Sequence, residues 1–309
     1  MNADSRFFDL SARTKLRLSG ADRVRFLNGQ TTNDVRKAGA DKVQESCVLN
    51  AKGHLDAHIF LFATANEIWL DAAEALREQL PGRLERYIIA DDVVVHDTSE
   101  LCALFHVLAE TKPAGVKAQF CFRSQRLGVD GWDVWVELAG AEEVSNALAA
   151  AYQRADKNEW ERLRIENGIP RWGCELTPDV IPPEANLAQR TIDYEKGCYI
   201  GQEVISRMKM SSQLRQQLCG LVSERALTAG TELRQETKVV GRVTSAAFSP
   251  RMNSNIGLGM IKRGYNGIGS RLIASTAGAQ ANVSVIALPM KSASAAPPGN
   301  AGSTGGEIA

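Results

Sequence analysis

Three stretches of different hydrophobic texture follow one another along the chain. In the first, short apolar, β-branched runs at Val43–Leu49, Leu55–Phe62 and Glu67–Asp71 read as strands. Before them, Ser19-Gly-Ala-Asp22 has the form of a capping box opening a short helix. Val24 and Leu27 supply that helix's apolar side, and Gly29 suits a left-handed C-terminal position. Ala73, Leu76, Leu80, Leu84 and Ile88 recur at helical spacing, with Pro81-Gly82 placed to break that helix or split it in two. Asp92–His96 reads as a further strand.

The second stretch repeats the theme. A strand near Leu101–Leu108 leads to a hairpin whose predicted turn is Asp130-Gly131 and whose second arm is Trp132–Leu138. A helix from Glu142 to about Arg154 puts Val144, Ala147, Leu148 and Ala151 on one face. Another, about Asn158–Asn167, ends at Gly168 with Pro170 beyond it. From Leu214 the texture changes to strand-like runs between Gly, Pro and Asn turns: Val239–Phe248, Ile256–Ile261, Arg271–Ser275 and Ala281–Leu288. Several short strands without helices predict a small barrel or sandwich. The fold class is therefore α+β. The expected parts are a first unit over 1–97, which 168–213 would complete, a second over 98–167, and a β-barrel over 214–290. The last residues, 291–309, are Ala, Ser, Gly and Pro with little to bury, and read as a disordered tail.

Composition narrows the function classes. At ~150 residues per domain, 309 residues predict two or three domains. With 36 basic against 36 acidic residues, a strongly basic nucleic-acid binder is excluded. Only 6% of residues are aromatic, so no base-stacking platform is evident and direct nucleic-acid binding is not expected. The longest uncharged stretch, Leu272–Met290, carries Ser, Thr, Gly, Gln and Asn and reads as strands, so no membrane span is expected. Asp4, Arg6 and Asp9 precede any apolar run, unlike a signal peptide, and a cytoplasmic location is expected. The six cysteines lie far apart with no C-x-x-C, and read as free thiols.

Two sets of residues invite chemistry. His54 and His58 are four apart, but on a strand that spacing is ~13 Å, so they cannot share a metal and read as ordinary strand histidines. The densest candidate is Lys196-Gly197-Cys198-Tyr199-Ile200-Gly201-Gln202-Glu203, followed by Arg207 and Lys209. Gly197 leaves the sulfur uncrowded, and Lys196 and Arg207 would favour thiolate, the form that attacks or binds metal. Gly201 allows a tight turn or close backbone approach. Gln202 and Glu203 offer an amide and a carboxylate. A buried structural thiol beside a turn is the alternative, since free Cys is among the most buried residue types.

The octapeptide resembles the signature of the YgfZ family, K-G-C-Y-x-G-Q-E, at all seven fixed positions. The resemblance extends over Leu18–Asp22, Phe26–Asp34, Leu49–Gly53, Arg164–Pro170, Pro182–Leu187 and Val240–Ser245, and leaves only the tail after about Pro289 uncovered. That family is related to the T-protein aminomethyltransferase of glycine cleavage. The resemblance implies two ferredoxin-like units and a C-terminal barrel around a central folate channel. It implies a tetrahydrofolate-dependent factor that assembles or repairs iron–sulfur clusters for client enzymes, tRNA-modifying ones among them. Cys198 would be the functional thiol, accompanied by Lys196, Gln202, Glu203 and Arg207. One cysteine cannot hold a cluster, so an iron–sulfur carrier protein or other partner would supply further ligands to a transient, shared cluster. Glu166 would accept the paired N–H donors of the pterin, with Asn50, Tyr199 and Gly201 also on the folate side. A true aminomethyltransferase is the alternative, and a folate-binding regulator without cluster chemistry is a third reading. In the transferases a paired Asp-Asp follows Asn-x-x-Gly; here those positions are Ala57 and His58, with Asp56 one place early and, by strand alternation, on the other face.

Overall fold

The computed structural model describes residues 5–39, 41–211, 213–276 and 279–291. The tail expected after Lys291 lies outside the described residues. The chain opens with β1 (Arg6–Asp9) and β2 (Thr14–Ser19), then α1 (Arg23–Gln30). The first unit continues through β3 (Gln44–Leu49), β4 (Leu55–Ala63), β5 (Ile68–Ala72), α2 (Gln79–Glu85) and β6 (Val94–Asp97). The second has β7 (Cys102–Leu108), β8 (Phe120–Ser124), β9 (Gly131–Glu137), α3 (Ala141–Ala151) and β10 (Gln153–Arg154). Then come α4 (Lys157–Glu166), α5 (Ala188–Thr191) and α6 (Gln202–Ser211). The barrel strands are β11 (Gln216–Ser223), β12 (Glu232–Gln235), β13 (Lys238–Ser249), β14 (Ser254–Lys262), β15 (Arg271–Thr276) and β16 (Ala279–Ile286).

The strands make two five-stranded sheets, β3-β4-β5-β2-β6 and β10-β1-β7-β9-β8, and a closed six-stranded barrel. The fold is α+β, as the texture predicts. One boundary shifts: β1 lies in the second sheet, paired with β7 and β10, because Phe7 is wholly buried there among Phe105, Val107 and Val134. The two sheets touch edge to edge, where the Val43 amide donates to the Arg123 carbonyl at 2.8 Å.

The first sheet is covered on both faces. Val48, Ala57, Ile59 and Leu61 pack under the helical side with Leu27, Leu80 and Leu84. Cys47, Leu49 and Leu55 pack on the other face against Leu176, Val180, Leu187, Ile192, Tyr199 and Ile205, so the segment after α4 completes this unit's core. Leu221, Leu233, Val243, Ile261 and Val285 fill the barrel. No helix among the described residues is long and apolar enough to cross a membrane.

Three local expectations need correction. The helix predicted over 73–88 is a 3-10 turn at Glu74–Leu76 followed by α2, and Pro81 falls in the first turn of α2, where its missing N–H costs nothing. Gly29 lies inside α1, and Asp22 makes no side-chain cap there. The hairpin between β8 and β9 is joined by six residues, 125–130, and not by an Asp130-Gly131 turn; Gly131 begins the strand. That longer loop exists to carry Arg126 inward, as the site shows.

Candidate functional site

Strand alternation sets one face of the first sheet. A β-bulge between Val48 and Leu49 makes Ala57 oppose Val48 and Leu55 oppose Leu49, leaving Asp56 as the extra residue. Ala57 faces the helical core, whereas His58 opposes Cys47 on the other face. Asp56 turns to the helical side and pairs with Arg83 at 2.6 Å, the same side as Ala57, because the bulge interrupts the alternation that would set the two on opposite faces. Beyond His58, Phe60 opposes both Glu45 and Asp71. This face therefore bears Glu45, His58, Phe60 and Asp71.

A cavity of about 580 Å³ opens over it, lined from the first unit by Asn33, Glu45 and Phe60 and from the second by Ser124 and Gln125. Gln189 and Arg190 on α5 line it and also a second cavity of about 720 Å³, whose other walls include Cys219, Asn266 and Leu288 of the barrel region. Two neighbouring cavities thus lie at the junctions of the three parts, each in the size range of small-molecule sites. Arg190 crosses the first, donating to Glu45 at 2.7 Å and to the Gln125 carbonyl at 2.8 Å. The His58 Nε2 lies 2.7 Å from the other Glu45 oxygen. Burial would raise the Glu45 pKa, but His58 and Arg190 outweigh it and hold the carboxyl below its usual range.

The floor is a chain of buried charges that joins the two units. Arg126 donates to both oxygens of Asp133, at 2.8 and 2.9 Å, and through its other nitrogens to Asp71. Arg13 also pairs with Asp71, and His106 Nδ1 lies 2.8 Å from Asp133. The Arg126 guanidinium lies 4.2 Å from the centre of the Phe60 ring. Burial disfavours both charges, yet the pairing wins: Arg126 is raised and Asp133 lowered. None of Glu45, Arg190, Arg126, Asp71 or Asp133 was singled out in the sequence. The available signal was a lone acid or arginine within an apolar strand or its turn.

The signature octapeptide is built around two buried anchors. Lys196, 5% exposed, donates to the carbonyls of Asn28, Thr31 and Asn33 at 2.6–2.7 Å. Tyr199 packs in the core with Leu49 and Ile205. Between the anchors, Gly197 and Cys198 are exposed. Gly201, at φ +84°, packs so tightly that a Cβ there would lie 2.7 Å from the Asn50 carbonyl oxygen; Gly53, at φ +77°, is similarly pressed against Val204. The Asn50–Gly53 turn and the signature are thus locked backbone to backbone. Gln202 opens α6 half-buried, and exposed Glu203 pairs with exposed Arg207 at 2.7 Å. The expectation that Lys196 and Arg207 place charge on the sulfur is not met by their partners: all three ammonium protons go to carbonyls, and Arg207 is taken by Glu203.

Two folate-side expectations are also changed. Glu166 is 3% exposed, with one oxygen bonded by Arg162 at 3.1 Å and Ser249 at 2.6 Å, and the other 3.3 Å from Arg251. It ties α4 to the barrel and does not line the cavity between the units. Asn50 Oδ1 accepts from the amides of Lys52 and His54, so it shapes its own turn. Of the other cysteines, burial pushes Cys47 up to about 12 and Cys121 and Cys219 up to about 11. Cys174 is only partly buried and lies 3.0 Å from Arg171. Among the described residues, no group of three or more His, Cys, Asp or Glu is placed to hold a metal ion.

Comparison with known proteins agrees with this architecture. Residues 216–291 match the glycine cleavage T-protein C-terminal barrel domain. Over 85% of its length the chain is 28% identical to a chloroplastic protein of Arabidopsis thaliana named as a transferase, of which it spans only 66%. Over 75% of its length it is 25% identical to the tRNA-modifying protein YgfZ of Yersinia pseudotuberculosis, spanning 76% of that protein. The fold matches the glycine cleavage aminomethyltransferase T of Bartonella henselae with a TM-score of 0.82, covering 92% of this chain and 86% of that one at 19% identity. The fold is therefore T-protein-like.

Proposed function

We propose that this chain is a tetrahydrofolate-dependent accessory factor for iron–sulfur cluster assembly or repair, of the YgfZ type, acting through Cys198. The observation that carries the reading is the presentation of Cys198: two buried anchors, Lys196 and Tyr199, hold an exposed thiol clear of the surface between them. A thiolate is a soft ligand suited to iron, and a single exposed one suits handing a cluster to or from a partner that supplies the remaining ligands. The cluster is cargo, shared with a carrier protein and passed to client enzymes.

Folate belongs in the cavity between the units. Its volume and the polar groups of Gln44, Glu45 and Gln125 in its wall fit a flat, polar heterocycle. When bound, tetrahydrofolate supplies a reduced pterin able to carry a one-carbon group. The chain's part is to hold that ring in the cavity, with Glu45 in its wall as an acceptor.

Anaerobic cluster reconstitution with a carrier protein, followed by visible and Mössbauer spectroscopy, tests the proposal. Wild type should take up iron and sulfide and Cys198→Ala should not; equal uptake would remove the cluster reading and leave that of a folate carrier.

An aminomethyltransferase is the second reading, favoured by Glu45, a carboxylate in the wall of the same cavity that could act as a general base. Against it, Ala57 is buried in the helical core and Asp56 is spent on Arg83, so no free carboxylate stands where the transferases carry their pair. Formation of 5,10-methylenetetrahydrofolate from an aminomethylated lipoyl donor, undiminished in Cys198→Ser, would decide for the transferase.

A further inference from the structure

We propose that Lys196 is a positioning residue: its ammonium fastens the Gly197–Cys198 loop to the 28–33 segment and makes the presentation of Cys198 answer to what fills the cavity between the units. The ligand half of this inference rests on the folate reading; the clamp does not.

An ammonium has three donors, and here three carbonyls converge on them, from the last turn of α1 and the turn that follows. One of the three belongs to Asn33, which lines the cavity. The Asn33 side-chain amide bonds the backbone carbonyls of Glu45 at 2.9 Å and Arg190 at 3.4 Å, so the same residue touches the wall and the clamp. A second link runs in parallel. Lys37, also in the cavity wall, donates to Asp193 at 2.6 Å, and the Asp193 amide donates to the Thr32 carbonyl at 3.1 Å. The Ile200 amide reaches the Gly29 carbonyl at 3.2 Å on the far side of the thiol.

At its other end the loop is pinned by Gly201 against the Asn50–Gly53 turn, which joins the strands carrying Glu45 and His58. The exposed pair Gly197–Cys198 therefore hangs between two fixed points, both rooted in elements that wall the cavity. A Cβ built on Gly197 would meet nothing within 4 Å, so the loop itself does not restrict its own movement there. Its order comes from the anchors. A ligand that braces Asn33, Glu45 and Arg190 braces the clamp, and an empty cavity leaves it freer to open locally. Lysine suits the place because its compact ammonium meets three converging carbonyls, which the flat fork of arginine does not.

The test is the rate at which iodoacetamide alkylates Cys198 in the full chain at neutral pH, read by peptide mass spectrometry. It is measured with and without saturating 5-formyltetrahydrofolate, whose binding is followed separately by calorimetry. Bound ligand should slow labelling of wild type by about threefold or more, and Lys196→Met should label about threefold faster without ligand and lose the ligand effect. Should Lys196→Met fail to fold, Lys196→Arg, which keeps the charge but cannot meet the three converging carbonyls, should show the same faster labelling and lost response. Ligand that binds wild type without changing the rate overturns the coupling. A folded Lys196→Met, or failing that Lys196→Arg, that labels like wild type overturns the clamp. Absence of binding in calorimetry would remove the folate reading alone, and the ligand-free comparison would still decide the role of Lys196.

Discussion

Arg126→Met is the substitution that most directly probes how the two units are held together under the cavity. Arg126 is 2% exposed and bonds both Asp71 and Asp133, which are wholly buried. Methionine fills similar volume but leaves two buried carboxylates with less compensation: Asp71 keeps Arg13, and Asp133 keeps His106. Breaking a buried pair by removing one partner costs about 3–5 kcal/mol, because the remaining charge stays desolvated. At roughly 2–4 °C per kcal/mol for a chain of this size, the melting temperature should fall by about 6–20 °C. Urea unfolding followed by circular dichroism measures the loss directly. The mechanism adds a sign. Arg126 is what chiefly holds the buried Asp133 carboxyl low, so without it Asp133 takes up a proton more readily, and the gap between variant and wild type should narrow as the pH falls from 7 towards 5. A loss below about 1 kcal/mol at pH 7, or a gap that stays constant with pH, would show that the network does not carry the contact between the sheets. Because Arg126 lies over Phe60, folate affinity should fall in the same variant.

The remaining predictions concern the thiol, its turn and the acid limb. At neutral pH iodoacetamide should label Cys198 first and leave Cys47, Cys121 and Cys219 unmodified, since burial raises those three; equal labelling by peptide mass spectrometry would contradict it. Gly201→Ala should cost about 1–3 kcal/mol from its positive φ and displace the 50–53 turn, seen as a lowered melting temperature with changed Cys198 labelling. For Asp133 and Glu45, whose folded pKa values are lowered, the stabilisation is fully present above the usual carboxylate range near pH 4. It is lost as the pH falls through the folded values, so wild-type stability should drop below about pH 4; a flat profile from pH 5 to 2 would refute the assignment.

The parts of the fold that were legible are those where local pattern and tertiary burial agree. The β13–β16 run shows because a small closed barrel alternates inward and outward residues and needs a turn every few positions. The helix ending before Gly168 shows because its cap, Asp156, and its stop are both local. What was not legible depended on distant partners. Nothing near Phe7 says that it belongs with Phe105 and Val134 rather than with the strand that follows it. Asp130-Gly131 looks like a two-residue turn, but the loop must deliver Arg126 to acids on β5 and β9, and that requirement, set 55 residues away at Asp71, lengthens it.

The site divides along the same line. Residue types left Cys198 open between a presented thiol and a buried one, and the resemblance of the octapeptide to a family signature singled it out; its exposure in the structure follows from its immediate neighbours, two large anchors that sink and a glycine that does not. The roles of those neighbours were not readable. Lys196 beside a cysteine suggests a charge for the sulfur, whereas its nitrogen is committed to three carbonyls of a segment 163–168 residues earlier in the chain. Glu166 suggests an open carboxylate, whereas Ser249 and Arg251 arrive from the barrel to occupy it. Conversely, Glu45 and Arg190 are unremarked surface-type residues until the fold sets them 2.7 Å apart across a cavity. A charge's sequence neighbours predict whether it can be exposed; its partners, which decide what it does, are assigned only when the three parts of the chain close around the space between them.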